Sequence, residues 1–252
     1  WCLSYTLENL KKLKKSNLSK YESFGFNENE LDLWKKIVDE IYLPYSKKHK
    51  LYMQDDGFED KELVHVDEIP KNERPLNQNW SWDKILRSPY IKQGDVIQGI
   101  YYFEKDFSYE FIEKHFRFYE KYTVHESSLS ASIHSVIASH IDQVEKSYDY
   151  FLRSSRLDLD DYNREVEQGL HITSMAGSWI AIVEGFGGLK IDKKNIIINP
   201  KIPKQWNRLK FNIFYKNQII KFDITNESII VSGKDLNKIT INNLSDKKLK
   251  YV

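Results

Sequence analysis

Cysteine is almost absent from this chain, as are long apolar runs and any excess of one charge. The single cysteine, Cys2, excludes an internal disulfide framework and is typical of a reducing compartment, so we predict a cytoplasmic location. No stretch of the sequence is long and apolar enough to cross a membrane. The net charge of +1 gives no global field for nucleic acid or an anionic membrane. We therefore expect neither as a partner.

The first residues of the sequence already show a helical pattern. The chain opens with WCLSYTLENLKKL, without Met, and Leu3, Leu7 and Leu10 fall on one helical face. A native terminus rarely opens inside an amphipathic helix. We therefore predict that the sequence is a fragment of a longer protein, so that its true N-terminus and any signal peptide cannot be read from it.

Helical periodicity continues to about residue 187, with one long interruption that contains Gly57, Pro70 and Pro75. Four aromatic residues in that interruption favour an ordered, packed loop. Asn27 or Asn29 is a plausible cap for the second helix. The predicted helices cover residues 1–15, 27–41, 94–103, 108–120, the run SLSASIHSVIASHI, 144–161 and 173–186.

After Gly188 the period changes from that of helices to that of strands. The segments NIIINP, LKFNIFYKNQIIKFDIT and SIIVSG are β-branched and alternating, with turn signals at Lys216-Asn217 and Ser232-Gly233. We predict a mainly α chain with two domains: a helical domain over 1–188 and a small antiparallel β domain over 189–252.

The run GLHITSMAG places polar side chains where the last helix begins. Thr173 or Ser174 is a good N-cap. A helix N-terminus presents free N–H groups and a partial positive charge, which bind anions. His171 could add a donor or a charge. The pattern therefore indicates either an oxyanion site, most simply for phosphate, or a plain helix cap with a packed histidine.

The run TVHESSLSASIHS precedes another helix and allows three kinds of site. A serine nucleophile with histidine is one, but the Gly-x-Ser-x-Gly elbow is missing. Zinc is another, but the spacing of His125 and His134 is not that of His-Glu-x-x-His. We favour the third, a polar cup in which serines bind an oxyanion and Glu126 binds a hydroxylated ligand. A capping box without ligand remains the structural alternative.

Two further polar runs are less specific. In PYIKQGDV, Lys92 and Gln93 suit sugar hydroxyls or phosphate, although a solvated lysine is the simpler interpretation. In RLDLDDYNREVE, Asp160 and Asp161 are available for structural pairs with Arg156 or Arg164, and we do not assign them a catalytic role.

Taken in order, IKQGDV, TVHESSLSASIHS and RLDLDDYNREVEQGLHITSMAGSWIAIVEGFGGLK closely resemble the inverting disaccharide phosphorylases of glycoside hydrolase family 65. The resemblance spans essentially the whole chain. The last two motifs are long and specific, and the run RLDLDDYNREVEQGLHITSMAG is most similar to the branch of the family that acts on maltose. The resemblance implies the second half of an (α/α)6 barrel, followed by a small C-terminal β domain.

The same resemblance implies the chemistry. Such enzymes cleave an α-glucosidic bond of maltose with inorganic phosphate and invert the anomeric centre, which yields β-glucose 1-phosphate and glucose. Disaccharide and phosphate are then the partners, with no cofactor and no metal, and the full-length protein is expected to be a homodimer. Ser127, Ser128, His171 and Ser174 match the phosphate-binding positions. Lys92, Gln93 and Glu126 match positions that contact the sugar.

One element of the family pattern has no counterpart in this sequence. The resemblance puts the general acid, a glutamate, just upstream of Trp1, so we assign no catalytic residue here and expect the isolated chain to be inactive. An inactive truncated remnant and a family member specific for trehalose or kojibiose remain the alternatives.

Overall fold

The computed structural model describes residues 1–192 and 195–252 of the chain. These residues form two compact units, Trp1–Tyr45 and Ser46–Val252. None of the described helices is both long and apolar enough to cross a membrane.

The first unit consists of three helices, each started by local side-chain chemistry. The Asn17 side chain accepts a hydrogen bond from Lys20 N at 3.0 Å, and the Asn27 side chain accepts one from Asn29 N at 2.9 Å, which confirms the predicted cap at Asn27. Leu10 is the buried apolar residue of the longest helix. The helices are α1 (Cys2–Ser16), α2 (Leu18–Glu22) and α3 (Glu28–Glu40).

Part of the apolar stripe of this unit is exposed. Within α3 no residue is fully buried, and Ile37 is 43% exposed. Leu33 and Ile41 are exposed as well. The sequence of α3 is amphipathic, but its apolar side chains contact little apolar surface within this unit.

The second unit begins with irregular chain and short elements, then builds paired helices. Leu51, Met53 and Phe58, all from the predicted packed loop, are buried in the same apolar cluster as the helices that follow. The elements are β1 (Tyr45–Ser46), which spans the boundary, β2 (Leu51–Tyr52), α4 (Leu76–Asn79), α5 (Trp82–Arg87), α6 (Asp95–Tyr102), α7 (Tyr109–Tyr119), α8 (Ala131–His140), α9 (Val144–Ser155) and α10 (Ile172–Ile180).

Helix α8 is the centre of this unit. Every residue from Ala131 to Ser139 is buried. A helix buried all round must satisfy its polar side chains internally. The Ser135 hydroxyl therefore donates to Ser147 O at 2.8 Å, and the Ser139 hydroxyl donates to Gly185 O at 2.9 Å.

Two predicted helix boundaries differ from the structure. The helix predicted over 144–161 ends at Ser155, because the carboxylates that follow bond locally: Asp160 pairs with the Arg156 guanidinium, and Asp161 accepts from the main chain. The last helix begins at Ile172, so neither Thr173 nor Ser174 is its cap. Beyond Ile180 it continues as a π-helical segment, Ala181–Phe186.

The change from helix to strand falls where the sequence predicts it. Gly188 has a left-handed φ of +60°, and a Cβ there would lie 2.0 Å from Asn199 O, so only glycine fits. Strand β3 starts at the next residue. Because Val183 and Phe186 of the π-helical segment share one apolar core with the strands, helices and sheets belong to a single compact unit. The division into domains at residue 188 stays a prediction.

The strands form two small sheets that are not wholly antiparallel. One sheet has the order β3-β4-β8 and the other β5-β6-β7-β9. The turn predicted at Lys216-Asn217 joins β5 to β6, and both residues have positive φ. The antiparallel prediction is wrong for two pairs, β4 with β8 and β7 with β9, which are parallel because intervening chain returns each partner in the same direction. The strands are β3 (Leu189–Asp192), β4 (Asn195–Ile198), β5 (Arg208–Tyr215), β6 (Gln218–Thr225), β7 (Ser228–Ser232), β8 (Thr240–Asn243) and β9 (Lys248–Tyr251).

Two glycines inside helices give a matched test of helix packing. A Cβ at Gly177 of α10 would lie 2.4 Å from Ser132 Oγ of α8, whereas a Cβ at Gly99 of α6 meets nothing within 4 Å. We expect Gly177→Ala to lower the free energy of unfolding by about 1–3 kcal/mol through overpacking. Gly99→Ala should raise it by about 0.5–1 kcal/mol, because alanine costs less helix entropy. Denaturant unfolding of both variants measures this, and equal effects would contradict the close approach.

Candidate functional site

The loops before α6 and α8 are joined by their main chains. Ile91 N donates to Tyr122 O at 2.8 Å, and Val124 N donates to Ile91 O at 2.9 Å. This parallel bridge places Lys92 and Gln93 beside the residues that follow Val124. Two of the three polar clusters predicted from the sequence are therefore brought together by backbone pairing.

Side chains extend the contact between these loops. The Ser127 hydroxyl donates to Gln93 Oε1 at 2.9 Å and accepts from Leu129 N at 3.2 Å. Among the described residues, the Ser128 hydroxyl has no hydrogen-bond partner and the Lys92 ammonium has no ion pair. Ser128 is partly exposed and Lys92 is exposed, so both groups are available to a ligand.

Glu126 is held by the protein itself. Its side chain is 4% exposed; Oε1 accepts from Arg74 Nε at 3.1 Å and Oε2 accepts from Leu76 N at 2.7 Å. The Arg74 guanidinium and the Leu76 main-chain N–H each donate to one oxygen of the carboxylate, so its orientation is fixed. A carboxylate has about four lone-pair sites, so these bonds leave capacity for a ligand hydroxyl.

His125 and His134 belong to the core. His125 adopts a left-handed φ of 55°, its Nδ1 bonds Ser130 Oγ at 2.9 Å, and its ring centre lies 4.5 Å from that of His134. Burial lowers the pKa of His134 to about 4, and burial with the neighbouring His134 lowers the pKa of His125 well below its usual value. Both rings are therefore neutral near pH 7. His125 bonds Ser130, not Ser127 or Ser128, which gives no support to a serine nucleophile there.

His171 is fixed by a carboxylate from the preceding loop. Asp158 accepts from His171 N at 2.9 Å and from His171 Nδ1 at 2.5 Å. The hydrogen bond with His171 lowers the pKa of Asp158, so the carboxylate stays ionised. The Nδ1 nitrogen must carry the proton in this contact, because an ionised carboxylate only accepts. The other ring nitrogen lies 3.7 Å from Glu165 Oε2.

Ser174 lies deeper than a residue at a helix mouth would. It is 3% exposed, and its hydroxyl donates to Ser154 O of α9 at 2.6 Å. The Ser174 hydroxyl proton therefore already has an acceptor inside the protein, and the assignment of Ser174 to phosphate stays a prediction.

The C-terminal turn of α9 connects the two clusters. Arg153 donates from Nη2 to His125 O at 2.9 Å and from Nε to the same oxygen at 3.2 Å, so it fixes the loop that carries Glu126 to Ser128. The next residue, Ser154, binds Ser174. Within the described residues, no hydrogen bond joins Ser127 or Ser128 directly to His171 or Ser174.

Sequence reasoning missed the residues that position this site. Asp158 stands in the acidic run that was assigned to structure alone, and its only signal was a carboxylate shortly before a histidine-led helix start. Arg74 and Arg153 give no signal in the sequence, because their partners are distant along the chain. Arg74 binds Glu126 and a main-chain oxygen, and Arg153 binds main-chain oxygens. Among the described residues, no group of three or more His, Cys, Asp or Glu side chains is placed to hold a metal ion.

Comparison with known families settles the class of protein. Residues 1–180 match the glycosyl hydrolase family 65 central catalytic domain, and residues 189–244 match the family 65 C-terminal domain. The chain belongs to glycoside hydrolase family 65. The resemblance read from the three polar motifs is confirmed.

Three similar relatives are named as phosphorylases that act on different sugars. The chain is 44% identical to maltose phosphorylase of Bacillus subtilis (strain 168), over 94% of this chain and 31% of that protein. It is 39% identical to α,α-trehalose phosphorylase of Thermoanaerobacter brockii, over 90% of this chain and 30% of that protein. It is 36% identical to kojibiose phosphorylase of Halothermothrix orenii, over 88% and 28% respectively.

A solved structure supports the fold of this family 65 chain. A kojibiose-phosphorylase-like protein from the human microbiome aligns with a TM-score of 0.82 and 34% identity, over 94% of this chain and 33% of that one. The predicted fold class, part of a helical barrel followed by a small sheet domain, is confirmed. The chain spans about a third of the length of the relatives it matches.

The buried histidines predict how stability depends on pH. The folded pKa of His134 is about 4, below the unfolded value of about 6.5, so the unfolded chain binds more protons between those values. We expect the free energy of unfolding to fall as pH decreases from about 6.5 towards 4. Urea unfolding across this range measures it.

A pair of variants separates His134 from general charge effects. In His134→Gln the slope of stability against pH should be smaller, because one buried titrating group is gone. His65→Gln is the control, since the His65 side chain is 41% exposed. An unchanged slope in His134→Gln would show that this histidine is not held neutral by burial.

Proposed function

We propose that this chain supplies the phosphate-binding part of an inverting disaccharide phosphorylase. The observation that supports it best is the junction of the three family motifs: backbone pairing and the Ser127–Gln93 bond join two of them, and α9 ties the third to both. Polar groups of the kinds that bind phosphate and sugar thus converge at the N-terminal ends of α6, α8 and α10.

The phosphate side comprises Ser127, Ser128, His171 and Ser174. Ser128 offers a hydroxyl with no described partner, and Ser127 can turn its proton from Gln93 to a ligand oxygen. His171 is held in one orientation by Asp158, which reduces the entropy lost when it binds an anion. The positive end of the α10 dipole adds partial positive charge. Ser174 then acts through its contact with Ser154, by fixing the first turn of that helix.

The sugar side comprises Lys92, Gln93 and Glu126. Lys92 is exposed and Gln93 partly exposed, which suits hydrogen bonds to hydroxyl groups of a glucosyl unit. The Glu126 carboxylate is held in place by Arg74 and Leu76 N, so it can accept from a sugar hydroxyl with its remaining lone pairs. Gln93 links both sides, because its oxygen accepts from Ser127.

The chemistry follows from placing a charged nucleophile opposite a leaving group. A phosphate oxygen forms a bond to the anomeric carbon while the glycosidic carbon–oxygen bond breaks, and a general acid protonates the leaving oxygen. Phosphate needs no base to activate it, so the site requires one acid and an anion cradle on the other face of the sugar. We place the acid, a glutamate, in the polypeptide upstream of Trp1. Positioning and charge stabilisation of phosphate are what these residues contribute.

The proposed reaction converts maltose and phosphate to β-glucose 1-phosphate and glucose. Maltose is favoured because the B. subtilis maltose phosphorylase is the relative with 44% identity, against 39% and 36% for the trehalose and kojibiose phosphorylases above. We further propose that the whole protein acts in the cytoplasm, as a homodimer, without a metal or organic cofactor.

The deciding experiment is an assay of the protein with its upstream part present. Maltose, trehalose and kojibiose are offered separately, with and without phosphate, and β-glucose 1-phosphate is measured. We expect product from maltose only when phosphate is added, and none from the 252-residue chain alone. Phosphate-independent release of glucose as the main reaction would refute phosphorolysis. Product from trehalose or kojibiose alone would keep the reaction and replace the substrate.

A single hydroxyl tests the phosphate cradle. Ser128→Ala removes the donor without a described partner, so we expect phosphate affinity to fall about tenfold, the loss typical of a hydrogen bond to a charged group. Ser155→Ala is the matched control, because that hydroxyl bonds only Leu152 O on α9. Equilibrium dialysis with inorganic phosphate measures both. Equal affinity in the two variants would remove Ser128 from the cradle.

A further inference from the structure

A basic cavity lies next to the candidate site but is not lined by its phosphate-binding serines or His171. It has a volume of about 480 Å³, within the range of small-molecule sites. Four cationic side chains line it and one carboxylate does, so its net charge is strongly positive. Besides Pro75, the lining residues are Lys71, Arg74, Glu126, Arg153, Tyr162 and Arg164.

The single carboxylate does not neutralise this cavity. Glu126 pairs with Arg74 at 3.1 Å. Among residues 1–192 and 195–252, no carboxylate lies within 4.0 Å of the charged groups of Lys71, Arg153 or Arg164. Three of the four cations are thus left without an ion-pair partner inside the described protein.

The two partly buried guanidinium groups, those of Arg74 and Arg153, retain free donors. Arg74 uses Nε for Glu126 and Nη2 for Val124 O, at 3.1 and 2.6 Å. Arg153 uses Nε and Nη2 for main-chain carbonyls. Among the described residues, the Nη1 group of each arginine has no hydrogen bond. Neither Nη1 atom is fully buried, so both can be reached by a ligand. Guanidinium forks match the geometry of phosphate oxygens.

The like charges in this cavity repel one another. Burial lowers the pKa of Arg153, and the like charge of Arg74 lowers it further. Two adjacent cations in a partly buried site repel, and a bound anion would replace that repulsion with attraction. The Tyr162 ring, 5.2 Å from the Arg153 guanidinium, covers one side of the charge.

The walls of the cavity are fixed in advance. Gln78 Nε2 donates to Asn163 O at 2.9 Å, which joins the loop of Arg74 to the loop of Arg164. Asp161 Oδ1 accepts from Glu165 N at 2.9 Å and from Val166 N at 3.2 Å, so the turn that contains Arg164 is held by its own side chain. Arg164 itself has a left-handed φ of 53°. A preformed cationic cavity binds without a large ordering cost.

We propose that this cavity is a second oxyanion site, for a phosphate group. The group is either free inorganic phosphate or the phosphate of a sugar ester; the volume accommodates both. The site shares only Glu126 with the proposed sugar positions, and it does not depend on the proposed reaction. Through Glu126 and Arg153, an occupant would act on the same loop that carries Ser127 and Ser128.

Variants of Lys71 and Arg164, the exposed residues at the rim of the cavity, test the second phosphate site without disturbing the fold. Lys71→Gln/Arg164→Gln removes two exposed cations, and Lys221→Gln/Lys250→Gln removes two exposed cations from the β sheet as a matched control. Each is combined with Ser127→Ala/Ser128→Ala, which disables the first cradle. Equilibrium dialysis at constant ionic strength then measures binding of inorganic phosphate and, separately, of β-glucose 1-phosphate. Circular dichroism confirms that each variant is folded.

We expect the Ser127→Ala/Ser128→Ala chain to keep one phosphate site, which weakens at least about tenfold with Lys71→Gln/Arg164→Gln and less than about twofold with the control pair. Tighter binding of one probe identifies the source of the phosphate group. Absence of binding in the Ser127→Ala/Ser128→Ala chain, or equal binding in both cation variants, would overturn the second site. If only Ser127→Ala/Ser128→Ala abolishes phosphate binding, the result supports only the first cradle. If only Lys71→Gln/Arg164→Gln abolishes it, the result supports only the second site.

The same comparison in the wild-type background covers the case in which the serine variant does not fold. Two phosphate sites per chain should become one with Lys71→Gln/Arg164→Gln and stay two with Lys221→Gln/Lys250→Gln. An unchanged number of sites in the rim variant would reject the proposal.

Discussion

The candidate site depends on the last turn of α9. Arg153 donates to the main-chain oxygens of Val124 and His125, and Ser154 exchanges hydrogen bonds with Ser174. Two neighbouring side chains thus fix the loop before α8 and the first turn of α10 relative to one buried frame. Because the frame is a helix packed on the fully buried α8, small displacements of either loop would break several bonds together. The order of the site therefore comes from the core beneath it.

Electrostatics divides the neighbourhood into parts with different tasks. His125 and His134 are buried deeply enough to be neutral, so they contribute shape and no charge near pH 7. Positive charge is instead supplied by arginines, which cannot be neutralised at that pH, and is only partly offset by Glu126. His171 is the ring that keeps an ionised partner and partial exposure.

Much of the fold could be predicted because its signals are local. Helical spacing located α1, α3, α6, α7, α8, α9 and α10, and alternation located β4, β5, β6 and β7, since each depends on which side chains one element must bury. The errors arose where local and distant bonds compete. The run after Ser155 reads as helix, yet Asp158 and Asp161 accept main-chain N–H groups of other residues, so the chain leaves the helix. The parallel pairs of the sheets depend on chain return, which alternation does not encode.

The sequence by itself determined the family and the residue types of the site, because three long polar motifs in fixed order are rarely met outside it. It also determined where helices give way to strands, through the glycines around Gly188. Only the tertiary structure decided which polar groups are free. Ser128 and Ser174 are the same residue type in the sequence. In the structure the Ser128 hydroxyl is accessible, whereas the Ser174 hydroxyl donates to Ser154 O. Likewise Arg74, from the loop before α4, and Arg153, from the last turn of α9, line one cavity, and charge accumulates there through proximity that no local pattern records.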